Sequence, residues 1–210
     1  MRIDQRNGGA SVTPVNASYT LDRWKAFLSQ SSKFTIQQNA GAVTPPAGFT
    51  NYLGVTSTAS TSVGAGDFFF IDQRIEGFNV SDLGFGTANA QSITISFWVR
   101  SSLTGTFTGG LVNSGNNRVY GFTYAISSAN TWEQKFVTIT GDTGGTWLTG
   151  NSVGLTLLFG FGNGATYTTP TNGSWQAGNY FAGGSGGTSV VGTSGATFYV
   201  TGVQLEKGST

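Results

Sequence analysis

The chain has 210 residues, a formal net charge of +1 and only 9% charged residues. Globular proteins average about 25% charged residues, so Ser, Thr, Asn, Gln and Gly must supply most of the surface polarity. The lysines and arginines are scattered along the sequence without a cluster. This pattern excludes an electrostatic footprint for nucleic acid, and we expect no nucleic-acid partner.

Cysteine and histidine are both absent from the chain. The first absence removes disulfides, thiolate chemistry and zinc-thiolate sites. The second removes the commonest general base, the Ser-His-Asp arrangement and most transition-metal sites. The sequence also has no apolar run of about 18 residues and no basic-then-apolar secretion signal, so we expect no membrane insertion.

Short segments rich in β-branched and aromatic residues alternate with Gly, Asn and Ser turns along the chain, a pattern typical of β-strands. The predicted strands are, in chain order, 1–6, 19–28, 33–38, 51–57, 67–76, 92–102, 104–113, 118–126, 132–140, 153–161 and 196–206. We expect the second and third of these strands to pair across the turn at 29–32. No segment has an apolar stripe of helical period over three turns.

The predicted strand 92–102 has the clearest alternation. Its apolar side consists of the residues Ile93, Ile95, Phe97 and Val99. Its other side carries Thr94, Ser96, Trp98 and Arg100. Because successive side chains of a strand point to opposite faces, this segment is predicted to be half-buried in an antiparallel sheet.

The strand at 67–76 has a mixed second face like that of 92–102, and the strand at 153–161 is the most apolar of all. The Gly-, Thr- and Asn-rich region 162–194 is too long for a simple connection, and we expect it to be functional or to contain short strands of its own. About ten short strands without helices predict an all-β protein, a single jelly-roll β-sandwich of two antiparallel sheets that spans residues 1–210 as one domain.

Several segments together resemble a known group of proteins. The segments are 2–7, 19–24, 73–77, 95–102, 130–132, 141–147 and 199–208. They resemble the distal domains of tailed-bacteriophage tail-fibre and tail-spike-like proteins, especially those of marine phages. Those domains are similar in pattern to the jelly rolls of carbohydrate-binding modules, with an early Trp, a central Phe-Trp-Val strand and a final Val-x-Leu strand.

The resemblance implies a virion protein that is assembled in the host cytoplasm and exposed on the phage particle. It implies a receptor-binding role toward host cell-surface polysaccharide, contacts with other virion subunits and a homotrimeric fibre. The chain begins at the first predicted strand, without a shaft or coiled coil, and stops at Thr210. We therefore expect either an excised domain or a small stand-alone virion protein.

Glycan recognition needs apolar plates for the faces of sugar rings and forked polar groups for paired hydroxyls. If the strands at 67–76, 92–102 and 118–126 are neighbours, five side chains would supply both on one concave face. These residues are Trp98, Arg100, Asp72, Arg74 and Tyr124. The alternative is a polar and aromatic face that serves stability through its own ion pairs, such as Asp72 with Arg100.

Tryptophans between glycine-rich turns are further candidates. Trp147 and Trp175 are predicted binding anchors at loop tips, with the alternative that each caps an end of the sandwich. Trp24 and Trp132 are predicted to be core or staple residues instead.

The resemblance also implies a structural calcium ion near the first and last strands, which makes Asp4 and Glu206 candidate oxygen ligands. No other cofactor is predicted. The few carboxylates lie in no recognisable glycosidase motif, so we expect no enzymatic activity. The sequence leaves two functions open. The first is a non-catalytic tail-fibre domain that binds host glycan. The second is a structural virion protein, a capsid or fibre decoration, that binds no glycan.

Overall fold

The computed structural model describes residues 1–184 and 186–209, and these form two antiparallel sheets. The strands are β1 (Ser18–Tyr19), β2 (Trp24–Leu28), β3 (Phe34–Gln38), β4 (Leu53–Ser57), β5 (Phe68–Glu76), β6 (Ile93–Ser101), β7 (Gly105–Asn113), β8 (Arg118–Ile126), β9 (Glu133–Ile139), β10 (Val153–Asn163), β11 (Trp175–Ala177) and β12 (Thr197–Lys207). Four short 3-10 helices at Ala40–Ala42, Gly77–Asn79, Ser81–Leu83 and Ala165–Tyr167 complete the described elements. The described residues include no helix long and apolar enough to span a membrane.

The seven-stranded sheet has the order β1-β2-β5-β10-β7-β8-β11, and the five-stranded sheet has the order β3-β4-β12-β6-β9. Their facing surfaces share one hydrophobic core, to which both sheets contribute fully buried aromatic rings such as Phe97, Phe159 and Phe198. The predicted alternation of β6 is confirmed, because Ile93, Ile95, Phe97 and Val99 are all 0% exposed. The all-β prediction and the two-sheet sandwich are confirmed as well.

The predicted opening strand at 1–6 is wrong, because this segment has no strand. The Asp4 carboxylate accepts hydrogen bonds from the backbone N–H groups of Asn7 and Gly9, at 3.2 Å and 2.7 Å. A short polar side chain that bonds nearby backbone in this way favours a turn over a ladder.

The predicted pairing of 19–28 with 33–38 is also wrong, since β2 pairs with β5 and β3 pairs with β4 in the other sheet. The backbone of Ser29 stays bonded to Phe68 at the start of β5, with an N–H to carbonyl distance of 2.9 Å. Ser32 then adopts a left-handed φ of 58° and the chain crosses to the five-stranded sheet. The predicted strand 19–28 is itself divided into β1 and β2 by a turn in which Arg23 has a φ of 73°.

The residues 164–184, which we call the cover segment, fold back over the outer face of the seven-stranded sheet. The segment holds a 3-10 helix and the edge strand β11, as expected for a connection of this length. Gly110 and Gly121 are paired on β7 and β8 beneath it. A Cβ atom on Gly110 would lie 2.2 Å from the carbonyl oxygen of Phe181, so the missing side chain lets the cover segment lie directly on the sheet.

Candidate functional site

The predicted binding face that joins Trp98 and Arg100 to Asp72, Arg74 and Tyr124 does not exist in the structure. Strand β6, which carries the first pair, belongs to the five-stranded sheet, whereas β5 and β8 belong to the seven-stranded sheet and are separated there by β10 and β7. Trp98 and Arg100 therefore lie on the outer face of one sheet, and Asp72 and Arg74 on the outer face of the other. The alternative ion pair of Asp72 with Arg100 is also wrong, because the carboxylate of Asp72 pairs with Arg74 at 3.5 Å.

Tyr124 lies inside the sandwich rather than on either outer face. Its side chain is 6% exposed, and its ring is surrounded by Phe97, Phe107 and Phe159 at centroid distances of 5.0 to 6.4 Å. The even-numbered residues of β8 face the core, which is why the predicted surface position fails. Its buried hydroxyl has no hydrogen-bond partner among the described residues, and burial raises its pKa well above the usual value.

Trp98 and Arg100 are half-buried on the outer face of the five-stranded sheet. Trp98 lies between Thr201 of β12 and Gln134 of β9. The Arg100 Nε donates a hydrogen bond to the Asn130 carbonyl at 2.9 Å. Its guanidinium carbon lies 5.6 Å from the Tyr199 ring centroid, so this side chain is held by local contacts.

Trp147 and Trp175 come together beside the edge strand β11, which begins at Trp175. Their ring centroids are 5.2 Å apart, and Phe85 packs against Trp147 at 4.9 Å and against Trp175 at 5.7 Å. Both indole N–H groups donate to backbone carbonyls, of Gly144 and Thr140 respectively. Both rings pack against the main hydrophobic core, and the end cap that the sequence left as an alternative stays a prediction. A binding role for the two tryptophans stays a prediction.

The two predicted calcium ligands occupy different local settings. Asp4 is bonded to the turn that follows it, and Glu206 lies on β12 opposite Thr94 of β6. No group of three or more Asp, Glu, His or Cys residues that could hold a metal ion occurs within residues 1–184 and 186–209. The carboxylates that are described thus supply no ligand set on their own, and the calcium site stays a prediction.

A row of rings and cations lies on the outer face of β1, β2 and β5, and we call it the Asp72 face. It consists of the residues Tyr19, Lys25, Phe27, Asp72 and Arg74. The Lys25 Nζ lies 5.2 Å from the ring centroids of both Tyr19 and Phe27, and the Arg74 guanidinium carbon lies 5.7 Å from that of Phe27. Such cation–π contacts hold the cations in place without neutralising them.

Asp72 forms the floor of this face. It lies directly opposite Lys25 on β2 and Leu158 on β10, and it is 3% exposed. Its Oδ1 atom is buried without a hydrogen-bond partner among the described residues. Burial raises the pKa of Asp72 to about 6, although the nearby Arg74 and Lys25 charges oppose the shift. A buried carboxylate beneath two cations can fix their positions at neutral pH.

Asp72 and Arg74 were predicted from the sequence as site residues, whereas Tyr19, Lys25 and Phe27 were not. The alternation within β2 could have predicted Lys25 and Phe27, because these two residues alternate with Trp24, Ala26 and Leu28, which are buried. Reading this strand by its two faces places a cation and a ring together on the solvent side. The contact with Tyr19 depends on the hairpin between β1 and β2 and has no such signal.

No protein-family model matches the chain, and no curated protein matches its sequence. Among solved structures, the chain is similar to the enzymatically active domain of tailspike protein 4 of bacteriophage CBA120, with a TM-score of 0.48 and 10% identity over 92% of this chain. The chain spans 21% of that structure's length.

The chain is also similar to a family 11 carbohydrate-binding module of Clostridium thermocellum in complex with a β-1,3-1,4-mixed-linked tetrasaccharide. The TM-score is 0.45 and the identity 12%, over 97% of this chain and 98% of the module. A third similar structure contains the CBM22-1 and GH10 modules of Clostridium thermocellum xylanase 10B with xylohexaose, with a TM-score of 0.42 and 16% identity over 95% of this chain and 28% of that one. With TM-scores below 0.5 and identities of 10 to 16%, these are similarities only, and the β-sandwich is defined by the two antiparallel sheets of this chain.

The buried tyrosine hydroxyls give a matched pair of stability predictions. We expect Tyr124→Phe to stabilise the protein by about 1 kcal/mol, because it removes a buried hydroxyl that has no partner among the described residues. Tyr52→Phe should instead cost about 1 to 3 kcal/mol, because the Tyr52 hydroxyl donates to the Ala40 carbonyl and accepts from the Val43 N–H. Urea unfolding of the three proteins measures both changes, and a loss of stability in Tyr124→Phe would contradict the first.

The raised pKa of Asp72 predicts a pH-dependent stability difference between Asp72→Asn and the wild type. Because the folded-state pKa exceeds the unfolded one, the folded wild type binds the extra proton between about pH 4 and pH 6 and loses this advantage as pH rises. The free energy of unfolding of the variant should therefore gain about 3 kcal/mol on the wild type between pH 4 and pH 7.5.

Denaturant titrations at a series of pH values measure this difference. Asp82→Asn is the control, because the Asp82 side chain is 66% exposed and lacks the burial that raises the pKa of Asp72. A pH-independent difference for Asp72→Asn would contradict the buried, charged state assigned to Asp72.

Proposed function

We propose that this protein binds a host cell-surface glycan on the Asp72 face and does not cleave it. The observation that carries the proposal is the row of exposed and half-buried rings and cations above a buried carboxylate. Lys25 makes no ion pair within the described residues, so its ammonium group is available to sugar hydroxyls. The rings of Tyr19 and Phe27 offer apolar area beside it, and Tyr19 is 45% exposed.

The aromatic support of this face is rigid. Phe27 stacks on Phe70 with centroids 5.1 Å apart and an interplanar angle of 13°. Phe70 is 3% exposed and belongs to a second hydrophobic cluster that includes Leu158 and Ala182. A ring fixed in this way loses little conformational entropy when a ligand packs against it.

The carboxylates of the face favour binding without hydrolysis. Asp72 and Glu76 lie on the same face of β5, four residues apart, which corresponds to roughly 13 Å along a strand. Glycosidases place their two carboxyl groups about 5 to 9.5 Å apart. Arg74 lies between the two residues and pairs with Asp72, so Asp72 serves as a positioning group for the cations.

The virion setting belongs to the same proposal. It is supported by the resemblance of the seven sequence segments to phage tail-fibre and tail-spike-like proteins. In this setting the protein is exposed on the phage particle, contacts other virion subunits and recognises the host through the Asp72 face.

A screen of bacterial surface polysaccharides, followed by calorimetry on the best ligand, tests the binding. We expect Lys25→Ala and Phe27→Ala each to weaken binding at least tenfold, which corresponds to about 1.4 kcal/mol or more. Arg100→Gln and Trp98→Ala, on the opposite outer face, are the matched controls and should bind as the wild type does. Loss of binding in the controls with retention in Lys25→Ala and Phe27→Ala would move the site to the five-stranded sheet and contradict the proposal.

The second candidate function, a structural virion subunit, is favoured by one observation. Phe136 is 62% exposed on the edge strand β9, on the same outer face as Trp98. An exposed ring on an edge strand suits a subunit contact.

In this case we expect a homotrimer whose contacts include Phe136. Light scattering coupled to size exclusion should then give three times the chain mass for the wild type and the monomer mass for Phe136→Glu. Phe78→Glu, at a ring that is 66% exposed elsewhere, is the control and should leave the trimer intact. A wild-type monomer would contradict this candidate without affecting the glycan proposal.

A further inference from the structure

A second candidate site lies outside the Asp72 face, at one end of the sandwich. A groove of about 650 Å³ opens there between the N-terminal segment, the tip of the β1–β2 hairpin, the loop at 48–51 and β12. Its size falls within the range of about 300 to 1,000 Å³ that is typical of small-ligand sites. We call it the end groove.

One wall of the end groove is an aromatic plate in a fixed position. The pairing of β12 with β6 is interrupted by a bulge between Thr201 and Gln204, where Gly202 adopts a left-handed φ of 61°. The Phe49 ring lies on this glycine, and a Cβ atom at position 202 would be 2.5 Å from its Cζ atom. Phe49 is 36% exposed, so one part of the ring is held by the bulge and another part faces the groove.

The other wall carries two guanidinium groups that lack a carboxylate partner. Arg2 and Arg23 line the groove, are exposed, and make no ion pair within the described part of the chain. The one carboxylate in the lining, that of Asp22, accepts the backbone N–H of Gln5 at 2.7 Å and lies 3.7 Å from the Arg6 Nε. Its charge is therefore engaged by neighbours, and the groove keeps an excess of positive charge.

The backbone conformation of Arg23 also supports a ligand site in the end groove. Its φ of 73° lies in the left-handed region, which costs energy for a residue with a Cβ atom and is usually occupied by Gly, Asn or Asp. Strain of this kind clusters at ligand sites. An arginine at this position keeps a guanidinium at the rim of the groove at the expense of stability.

We propose that the end groove binds a carboxylate-bearing sugar, a hexuronate residue of an acidic polysaccharide. The guanidinium fork of arginine matches a carboxylate through two parallel hydrogen bonds, while the Phe49 ring packs against the apolar face of the sugar. Gln73 and Thr50, which also line the groove, supply polar groups for the hydroxyls.

The end groove does not depend on the Asp72 face. The statement that both sites take the same acidic polysaccharide rests on the proposed function. That statement is supported by position, because the Arg6 guanidinium carbon lies 5.2 Å from the Tyr19 ring centroid and thus connects the hairpin tip at the groove to the Asp72 face.

Calorimetry at low ionic strength with trigalacturonate, and with galactotriose as the neutral analogue, tests the end groove. We expect the wild type to bind the acidic trimer at least tenfold more tightly than the neutral one. Arg23→Asn and Phe49→Ala should each weaken binding of trigalacturonate at least tenfold. Arg100→Gln removes an arginine that does not line the groove and should leave the affinity unchanged.

Thermal unfolding separates lost binding from lost folding. Asparagine tolerates the left-handed backbone better than arginine, so Arg23→Asn should unfold at a higher temperature than the wild type while binding more weakly. Equal affinity for the acidic and neutral trimers, or unchanged binding in Arg23→Asn, would overturn the end-groove site.

Lys25→Ala distinguishes the two proposals. If it leaves trigalacturonate binding intact while Arg23→Asn weakens it, the end groove holds and the sharing of one polysaccharide with the Asp72 face fails. If only Lys25→Ala weakens binding, the Asp72 face holds and the end groove fails.

Discussion

The pairing of β5 with β10 is the constraint on which both the sandwich and its candidate site depend. These two strands lie side by side inside the seven-stranded sheet, with Ile71 and Phe159 facing the main core and Phe70 and Leu158 facing the second cluster. Because both faces are covered, the outer-face position between Lys25 and Leu158 is almost dry. Asp72 occupies this position, and its raised pKa follows from the same double coverage. A carboxylate placed on an edge strand would be solvated and would hold its neighbouring cations less firmly.

The distribution of charge is the second physical theme. The chain has ten lysines and arginines. Five of them lie on the Asp72 face or at the end groove and its rim: Arg2, Arg6, Arg23, Lys25 and Arg74. Among the other cations, Arg118, Lys135 and Lys207 are paired with carboxylates within 4 Å. Three of the five cations that make no salt bridge within the described residues, Arg2, Arg23 and Lys25, thus lie in this region of the fold, although the sequence shows no cluster and the net charge is only +1.

The parts of the structure that could be predicted are those that local alternation determines. The inward residues of β6 follow directly from the period of two, because a face either contacts the core or does not. Alternation indicates which residues of a strand face outward but not which of two sheets the strand joins. Trp98 and Asp72 were therefore correctly predicted to face outward. The prediction that they share one face was wrong. Tyr124 failed because β8 carries apolar residues on both faces, with Val119 and Tyr120 each less than 9% exposed. The end groove depends on a bulge, a left-handed glycine and a hairpin tip that meet only in the folded chain.

Under the proposed function, the cover segment sets a limit on how the protein would attach to a surface. Because it lies on β7 and β8, the open part of the outer face spans from Tyr19 on β1 to Arg74 on β5, two strand spacings or roughly 10 Å. A face this narrow contacts only a short stretch of polymer, so a single copy would hold its ligand weakly. Strong adhesion would then come from many copies engaging one repetitive polysaccharide at the same time, which raises the local concentration of each contact without any new chemistry. The strength of attachment would depend on how densely the copies are displayed. If the copies are sparse, binding to the polysaccharide would be weak and reversible.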